Sequence, residues 1–307
     1  MTSDFETQWR LYRRAEVRLP RVLRPNALAG PTPPAPRRVG GLVELLSRGL
    51  YDAVVLDAWG VLNLGDAPIP AARAAFAALR ASGLPLRVLS NDAGSDAPQS
   101  AARHARRGFD VRPEEIVYGL DLMAPTLETL GIAPEDCALI APRPAPRAEH
   151  TARMCDLSDP RADAARALVL LSSVGYDDTT HDRLRGLLRA RPRPLLVCNP
   201  DIVSPEPVGS AIEPGYYAHA LAEELGIEPL FLGKPFPGVY ARLLEGLPGV
   251  ARERILCVGD TLHTDVLGGA VAGMHTLLVE SGFFRGQDLE ARCAEAGITP
   301  TWLSAHL

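Results

Sequence analysis

From residue 41 onward, short apolar runs alternate with stretches whose apolar positions recur every three or four residues. Runs such as Ala53-Val54-Val55-Leu56 and Ile255-Leu256-Cys257-Val258 read as strands covered on both faces, because a half-exposed strand alternates apolar and polar positions. The pattern predicts strands over 51–57, 85–90, 115–118, 137–141, 167–172, 194–198, 229–232, 254–259 and 275–279. Helical spacing predicts helices over 68–82, 98–108, 121–131, 181–190, 215–226, 237–247, 264–273 and 287–296. This alternation predicts an α/β fold built on a parallel sheet with helices on both sides.

Residues 1–40 break the pattern. They hold eight Arg against three acids (Asp4, Glu6 and Glu16) and end in the Pro-rich run 31–38. They read as a basic Pro-rich arm lying on the protein or on a homodimer partner, with the Pro-rich part extended.

The 307 residues, 47% of them hydrophobic, suffice for two domains with ample cores. No apolar run reaches the roughly 18–20 residues of a membrane span, and no basic segment leads into an apolar one. A net charge of −5 argues against a general nucleic-acid binder. The five cysteines are scattered without a C-x-x-C pair, which suits reduced thiols and a cytoplasmic location. Among 32 basic residues there is a single Lys, Lys234; the rest are Arg. Arg and Lys interchange freely on a solvated surface, but not where a compact ammonium must meet a point charge, so Lys234 marks a place to inspect.

Ligands of open α/β sheets bind beyond the carboxyl ends of the strands. Those ends carry Asp57-Ala58-Trp59-Gly60, Ser90-Asn91, Gly233-Lys234-Pro235 and Gly259-Asp260-Thr261-Leu262-His263-Thr264-Asp265. Asp57, Asp260 and Asp265 supply hard oxygen ligands that suit Mg²⁺. Lys234 and the Ser90 hydroxyl would face an anion bridging to that metal, and the N–H groups of the Asp57–Gly60 turn form an anion-binding concavity. Singly, each feature has an ordinary structural reading: Asp as a cap or turn residue, Ser-Asn as a turn. Together, in this order, they are the parts of phosphoryl transfer through a carboxylate nucleophile. Competing motifs fail, since Gly233-Lys234 is followed by Pro235, no dinucleotide fingerprint or nucleophile elbow occurs, and the seven His form no metal pair.

The four segments resemble the motifs of the haloacid dehalogenase (HAD) superfamily, class IIA. In that class a large α/β cap is inserted between the second and third motifs of a Rossmann-like core. Val174-Gly175-Tyr176-Asp177 and Cys198-Asn199-Pro200-Asp201 agree with its cap. The resemblance implies a core over 41–138 and 230–307, and a cap over 139–229. It implies a Mg²⁺-dependent phosphohydrolase acting on a small phosphorylated metabolite through an aspartyl-phosphate at Asp57. In this reading Asp57, the Trp59 carbonyl, Asp260 and Asp265 hold the metal, while Ser90 and Lys234 orient the phosphoryl group. Trp59, Gly60 and Asn91 line the phosphate, and Asn199, Asp201 and His263 are candidates for substrate contact. Arg143, Arg147 and Arg153 could read an anionic substrate.

One departure bears on mechanism. Phosphatases of this superfamily carry a second Asp two residues after the nucleophile, as general acid and then base, and here that position is Trp59. Indole donates a hydrogen bond but does not give up its proton near neutral pH. A missing general acid costs on the order of 10²–10⁴ in rate. Three readings follow: a phosphatase using a good leaving group or an acid from the cap or His263, a non-phosphatase HAD chemistry, or a catalytically impaired binder of a phosphorylated ligand.

Overall fold

The computed structural model describes residues 4–16, 19, 23, 35–142, 145–146 and 148–307. The larger of its two main sheets has seven strands in the order Arg37–Arg38, Trp302–Ser304, His275–Val279, Ile255–Gly259, Ala53–Leu56, Leu86–Ser90 and Ile116–Tyr118. Every pairing is parallel. Val258 stands opposite Leu56, and Leu56 opposite Val88. That register brings the ends of three neighbouring strands side by side, so Asp57, Ser90 and Asp260 emerge at one edge. The strands are buried on both faces, as their unbroken apolar runs require. The flanking helix Pro70–Ser82 starts on Pro, buries Ala72, Ala75, Phe76 and Leu79 on one stripe, and stops at Gly83 with φ 72°.

The second sheet has five parallel strands, ordered Leu230–Phe231, Leu195–Val197, Ala167–Leu170, Cys137–Ile140 and Cys155–Asp156. Helices Asp178–Ala190 and Pro214–Leu225 cover it through Leu184, Leu187, Leu188, Ala218 and Leu221. This is the inserted α/β unit. Its first strand, Cys137–Ile140, straddles the expected limit at 139 and its last, Leu230–Phe231, lies just beyond the limit at 229, because hydrophobic pattern marks a strand without saying which sheet it joins. Two short hairpins, Asn63–Leu64 with Ala67–Pro68 and Val203–Pro205 with Ser210–Ile212, are too brief to show a period.

The arm expected over residues 1–40 is not wholly an arm. Phe5–Glu16 is a helix that buries Gln8, Trp9, Tyr12 and Ala15, while Pro31–Pro34 lie outside the described residues. Trp9 packs edge-on to Phe284 and His263, and Phe5 meets Phe283 and Phe284. The same helix reaches the insert: the Tyr12 hydroxyl donates to the Val203 carbonyl at 3.2 Å and Ser210 donates to Gln8 at 3.1 Å. Its arginines obscured an aromatic stripe spaced i, i+4, i+7 (Phe5, Trp9, Tyr12) that is the mark of a docked helix. Trp9→Ala should therefore destabilise the protein by about 3–5 kcal/mol, as for other fully buried large aromatics. Denaturant unfolding checks this, and a loss under about 1 kcal/mol would mean that the helix does not dock in solution.

Candidate active site

The single Lys lies at the centre of the carboxyl edge. Lys234 is 2% exposed, and its Nζ sits 2.7 Å from Asp57 Oδ1 and 2.7 Å from Asp265 Oδ1. Asp260 completes a group in which carboxylate oxygens of Asp57, Asp260 and Asp265 lie within 4.8 Å of one another. Asp260 is held by the Phe283 N–H at 2.6 Å and the Thr261 hydroxyl at 3.1 Å, and Asp265 by the Thr261 N–H at 3.2 Å.

Glycines make this closeness sterically feasible. A Cβ on Gly60, whose φ is 80°, would fall 1.9 Å from Asp260 Oδ2, and one on Gly282 would fall equally close. The turn after Asp57 can press against Asp260 only with no side chain there.

Burial pushes the Asp57 carboxyl well above the ordinary carboxylate range; Lys234 pulls against this, and Asp265 and Asp260 add to it. Burial and then Asp265 raise Asp260 to about 7. Burial also works against the charge on Lys234, but Asp265, Asp57 and Asp201 outweigh it and keep the amine protonated. Three buried carboxylates against one ammonium leave a negative surplus. A hard divalent cation is the group such an all-oxygen set fits, since it would let all three ionise together.

Above the cluster is a cavity of about 60 Å³. Asp57, Trp59, Ser90, Asn91 and Asp92 line it from the large sheet, and Asn199, Asp201, Ser204 and Glu213 from the insert. Ser90, 3% exposed, stands where the register predicts, and its Oγ accepts from the Asp92 N–H at 3.2 Å. Asn91 lines this cavity while its amide is hydrogen-bonded to its neighbours. Its Oδ1 accepts the Lys234 N–H at 2.7 Å, and its Nδ2 donates to the Lys234 carbonyl at 3.2 Å and to Asp201 Oδ1 at 2.9 Å. Asn91 thus pins the Lys234 loop to the insert. Asn199 accepts the Asp201 N–H at 2.9 Å, which shapes the turn that carries both residues into the cavity. Burial raises Asp201 to about 6.

His263 does not belong to this group. It is stacked on Tyr12, edge-on to Trp9 and hydrogen-bonded to Glu16, and burial keeps its imidazole below the ordinary value. The segment Leu262–Val266 forms a π-helical turn, where residues two apart point to opposite sides. Asp265 therefore faces Lys234 while His263 faces the N-terminal helix. Arg143 and Arg147 lie outside the described residues, and Arg153 pairs with Glu135 at the surface. The Trp59 ring packs on the core with the Arg107 guanidinium 5.7 Å from its centroid.

Asp92, Ser204 and Glu213 line the cavity without having been singled out from the sequence. Glu213-Pro214 shows only a helix start, with Glu213 at the N-cap and Pro214 at the first helical position. A larger hollow of about 370 Å³ lies within the insert, beside Tyr176 and Arg183, and lacks the acidic cluster.

Comparison with known proteins agrees with this geometry. Residues 54–151 match a family profile described as haloacid dehalogenase-like hydrolase, and residues 231–307 match a HAD-hydrolase-like profile. The haloacid dehalogenase-like hydrolase domain-containing protein 2 of Bos taurus is 26% identical over 244 residues, 80% of this chain and 90% of that protein. An acid sugar phosphatase of Staphylococcus aureus is 23% identical over 260 residues, 82% of this chain and 93% of that one. A crystal structure from Cytophaga hutchinsonii, titled a "possible sugar phosphatase, HAD superfamily", superposes with a TM-score of 0.75 at 27% identity, covering 88% of this chain and 98% of its own. The two profiles carry the Asp57 and Lys234–Asp265 segments, and much of the five-stranded insert lies between them. The chain belongs to the haloacid dehalogenase superfamily, in the class whose core is interrupted by a large α/β cap.

Proposed function

We propose that this protein is a Mg²⁺-dependent phosphohydrolase that cleaves small phosphorylated metabolites through an aspartyl-phosphate at Asp57. The observation that carries this reading is the placement of Lys234 between Asp57 and Asp265, with Asp260 completing a buried carboxylate cluster. A Mg²⁺ held by Asp57, Asp260, Asp265 and the Trp59 carbonyl would supply positive charge to the phosphoryl oxygens and keep these carboxylates ionised. Asp57 attacks phosphorus with a carboxylate oxygen. Lys234 neutralises charge on the transferring group, and its bond to Asp57 keeps the nucleophile aimed. The Ser90 hydroxyl and the Ala58 and Trp59 N–H groups donate to the equatorial oxygens, where charge is held in the transition state, while the Asp57 and Gly60 N–H groups hold the turn through the Val258 and Asn63 carbonyls. The small cavity favours a compact substrate, and the acid sugar phosphatase among the relatives is consistent with one.

Hydrolysis of a panel of aryl, acyl, sugar and glycerol phosphates, with and without Mg²⁺, tests the reading. Release of phosphate that requires Mg²⁺ supports it. Trp59 favours a second reading, a binder of phosphorylated ligands with little or no catalysis. Saturable binding of a phosphate ester without turnover of any class would establish that reading instead.

A further inference from the structure

The phosphohydrolase reading leaves one proton without a source. When Asp57 displaces an alcohol from phosphorus, the leaving oxygen needs a proton, and the position that supplies it in relatives is the indole of Trp59. The cap brings two carboxyl groups, Asp201 and Glu213, to the cavity above Asp57. Glu213 sits at the N-cap of the helix Pro214–Leu225, so a rigid element of the cap carries it to the same cavity that Asp57 and Trp59 line. Two cap side chains fix it: the Ser204 hydroxyl donates to Oε1 at 2.6 Å and the Asn199 amide to Oε2 at 2.9 Å.

We propose that Glu213 is the general acid and base of this site, giving its proton to the leaving-group oxygen and recovering one from the water that follows. The proposal rests on the phosphohydrolase reading and deepens it.

The surroundings favour a carboxyl group that is neutral before reaction. Among the described residues no guanidinium or ammonium forms an ion pair with it. The charged or titratable groups that face it are acidic: Asp201 from the same cap loop, Asp92 from the core, Glu206 from the neighbouring hairpin and the Tyr217 phenol from its own helix. Burial, followed by these carboxylates, lifts Glu213 to about 8 in spite of the Ser204 hydrogen bond. The Ser204 hydroxyl can rotate to accept as well as donate, so it serves both protonation states. Asp201, raised only to about 6, is largely ionised at neutral pH and already receives the Asn91 amide.

The step balances. Asp57 Oδ forms a bond to phosphorus as the phosphorus–oxygen bond to the alcohol breaks, and the Glu213 proton passes to that oxygen. The products are the free alcohol, the aspartyl-phosphate and the Glu213 carboxylate. Water then attacks phosphorus while its proton passes to Glu213, which releases hydrogen phosphate and restores both side chains.

The test measures kcat/KM of the full chain with Mg²⁺ on phosphate monoesters spanning aryl to alkyl leaving groups, for the wild type and for Glu213→Gln and Glu213→Asp. Glu213→Gln should cut alkyl ester hydrolysis by ~10²-fold or more and aryl esters by less than ~10-fold, because only poor leaving groups need the proton. Wild-type alkyl activity should fall as pH rises through about 8, where the acid loses its proton, and that alkaline limb should vanish in Glu213→Gln. Trp59→Asp in the Glu213→Gln background should restore alkyl turnover. Equal losses on aryl and alkyl esters, or an unchanged alkyl rate, would overturn the proposal while leaving the phosphohydrolase reading intact. No turnover of any ester by the wild type would overturn both. If Glu213→Gln does not fold, Glu213→Asp decides, since an acid one methylene shorter should slow alkyl esters selectively, and an unaltered rate overturns the proposal.

Discussion

Lys234→Met should destabilise the metal-free protein by about 3–5 kcal/mol and eliminate measurable turnover. The ammonium is 2% exposed and bonds to Asp57 and Asp265 at 2.7 Å each. Methionine fills a similar volume, so the loss isolates charge rather than packing. What remains is a buried set of three carboxylates without a counter-charge, and it can relax only by taking up protons. The deficit should therefore grow with pH: smaller near pH 5, where the carboxylates accept protons readily, and larger near pH 8. Lys234→Arg should recover part of the stability and little of the activity, because a planar guanidinium cannot occupy the ammonium's place between two carboxylates. Thermal unfolding of all three proteins at two pH values in chelator checks this. A methionine variant that melts with the wild type would show that Lys234 is not the counter-ion of the cluster.

Asp57→Asn should lower turnover by at least ~10⁴-fold while leaving the fold as stable as before or more so. An amide has no nucleophilic oxygen to offer phosphorus, so no covalent intermediate can form. The same change removes one of three buried carboxylates, and Asp57 and Asp260 are held above their ordinary range by burial and neighbouring carboxylates, so it relieves the metal-free state. Opposite signs for activity and stability distinguish a nucleophile from a structural carboxylate. Acid quench of the wild type during turnover should trap phosphate on the chain, and the variant should trap none. A variant that retains a tenth of the wild-type rate would place the chemistry on another residue.

Much of the architecture could be read directly because the parallel strands are buried on both faces. Ala53–Leu56 and Ile255–Gly259 stand out as unbroken apolar runs, and strand ends in such folds are where ligands gather. Asp57, Asp260 and Asp265 follow strands of this kind and Ser90 ends one, whereas Lys234 comes from the loop after Leu230–Phe231, the partly exposed edge strand of the insert's sheet. Side-chain direction was harder to read. Asp265 and His263 are close in sequence but face opposite ways, because residues two apart on a helical turn lie roughly half a turn apart. Glu213 gave no signal, since a Glu before a Pro at a helix start is ordinary, and only the folded cap brings it over Asp57. The N-terminal helix was hidden by its own arginines, of which Arg10 and Arg14 are exposed and Arg13 pairs with Glu16.

That helix has a consequence for how the enclosed cavity exchanges its contents. It packs on Phe283 and Phe284 of the core, while Tyr12 and Gln8 hold the Val203–Ile212 hairpin of the cap. Any rotation of cap against core must therefore release one set of these contacts or drag the helix across the other. The work of undocking twelve residues becomes part of the barrier to substrate entry and product escape. Tightening the Tyr12 face would lengthen product residence, and loosening it would shorten it, with no atom of the catalytic cluster altered. The N-terminal helix would thus tie any cap rotation to its own packing, far along the chain from Asp57.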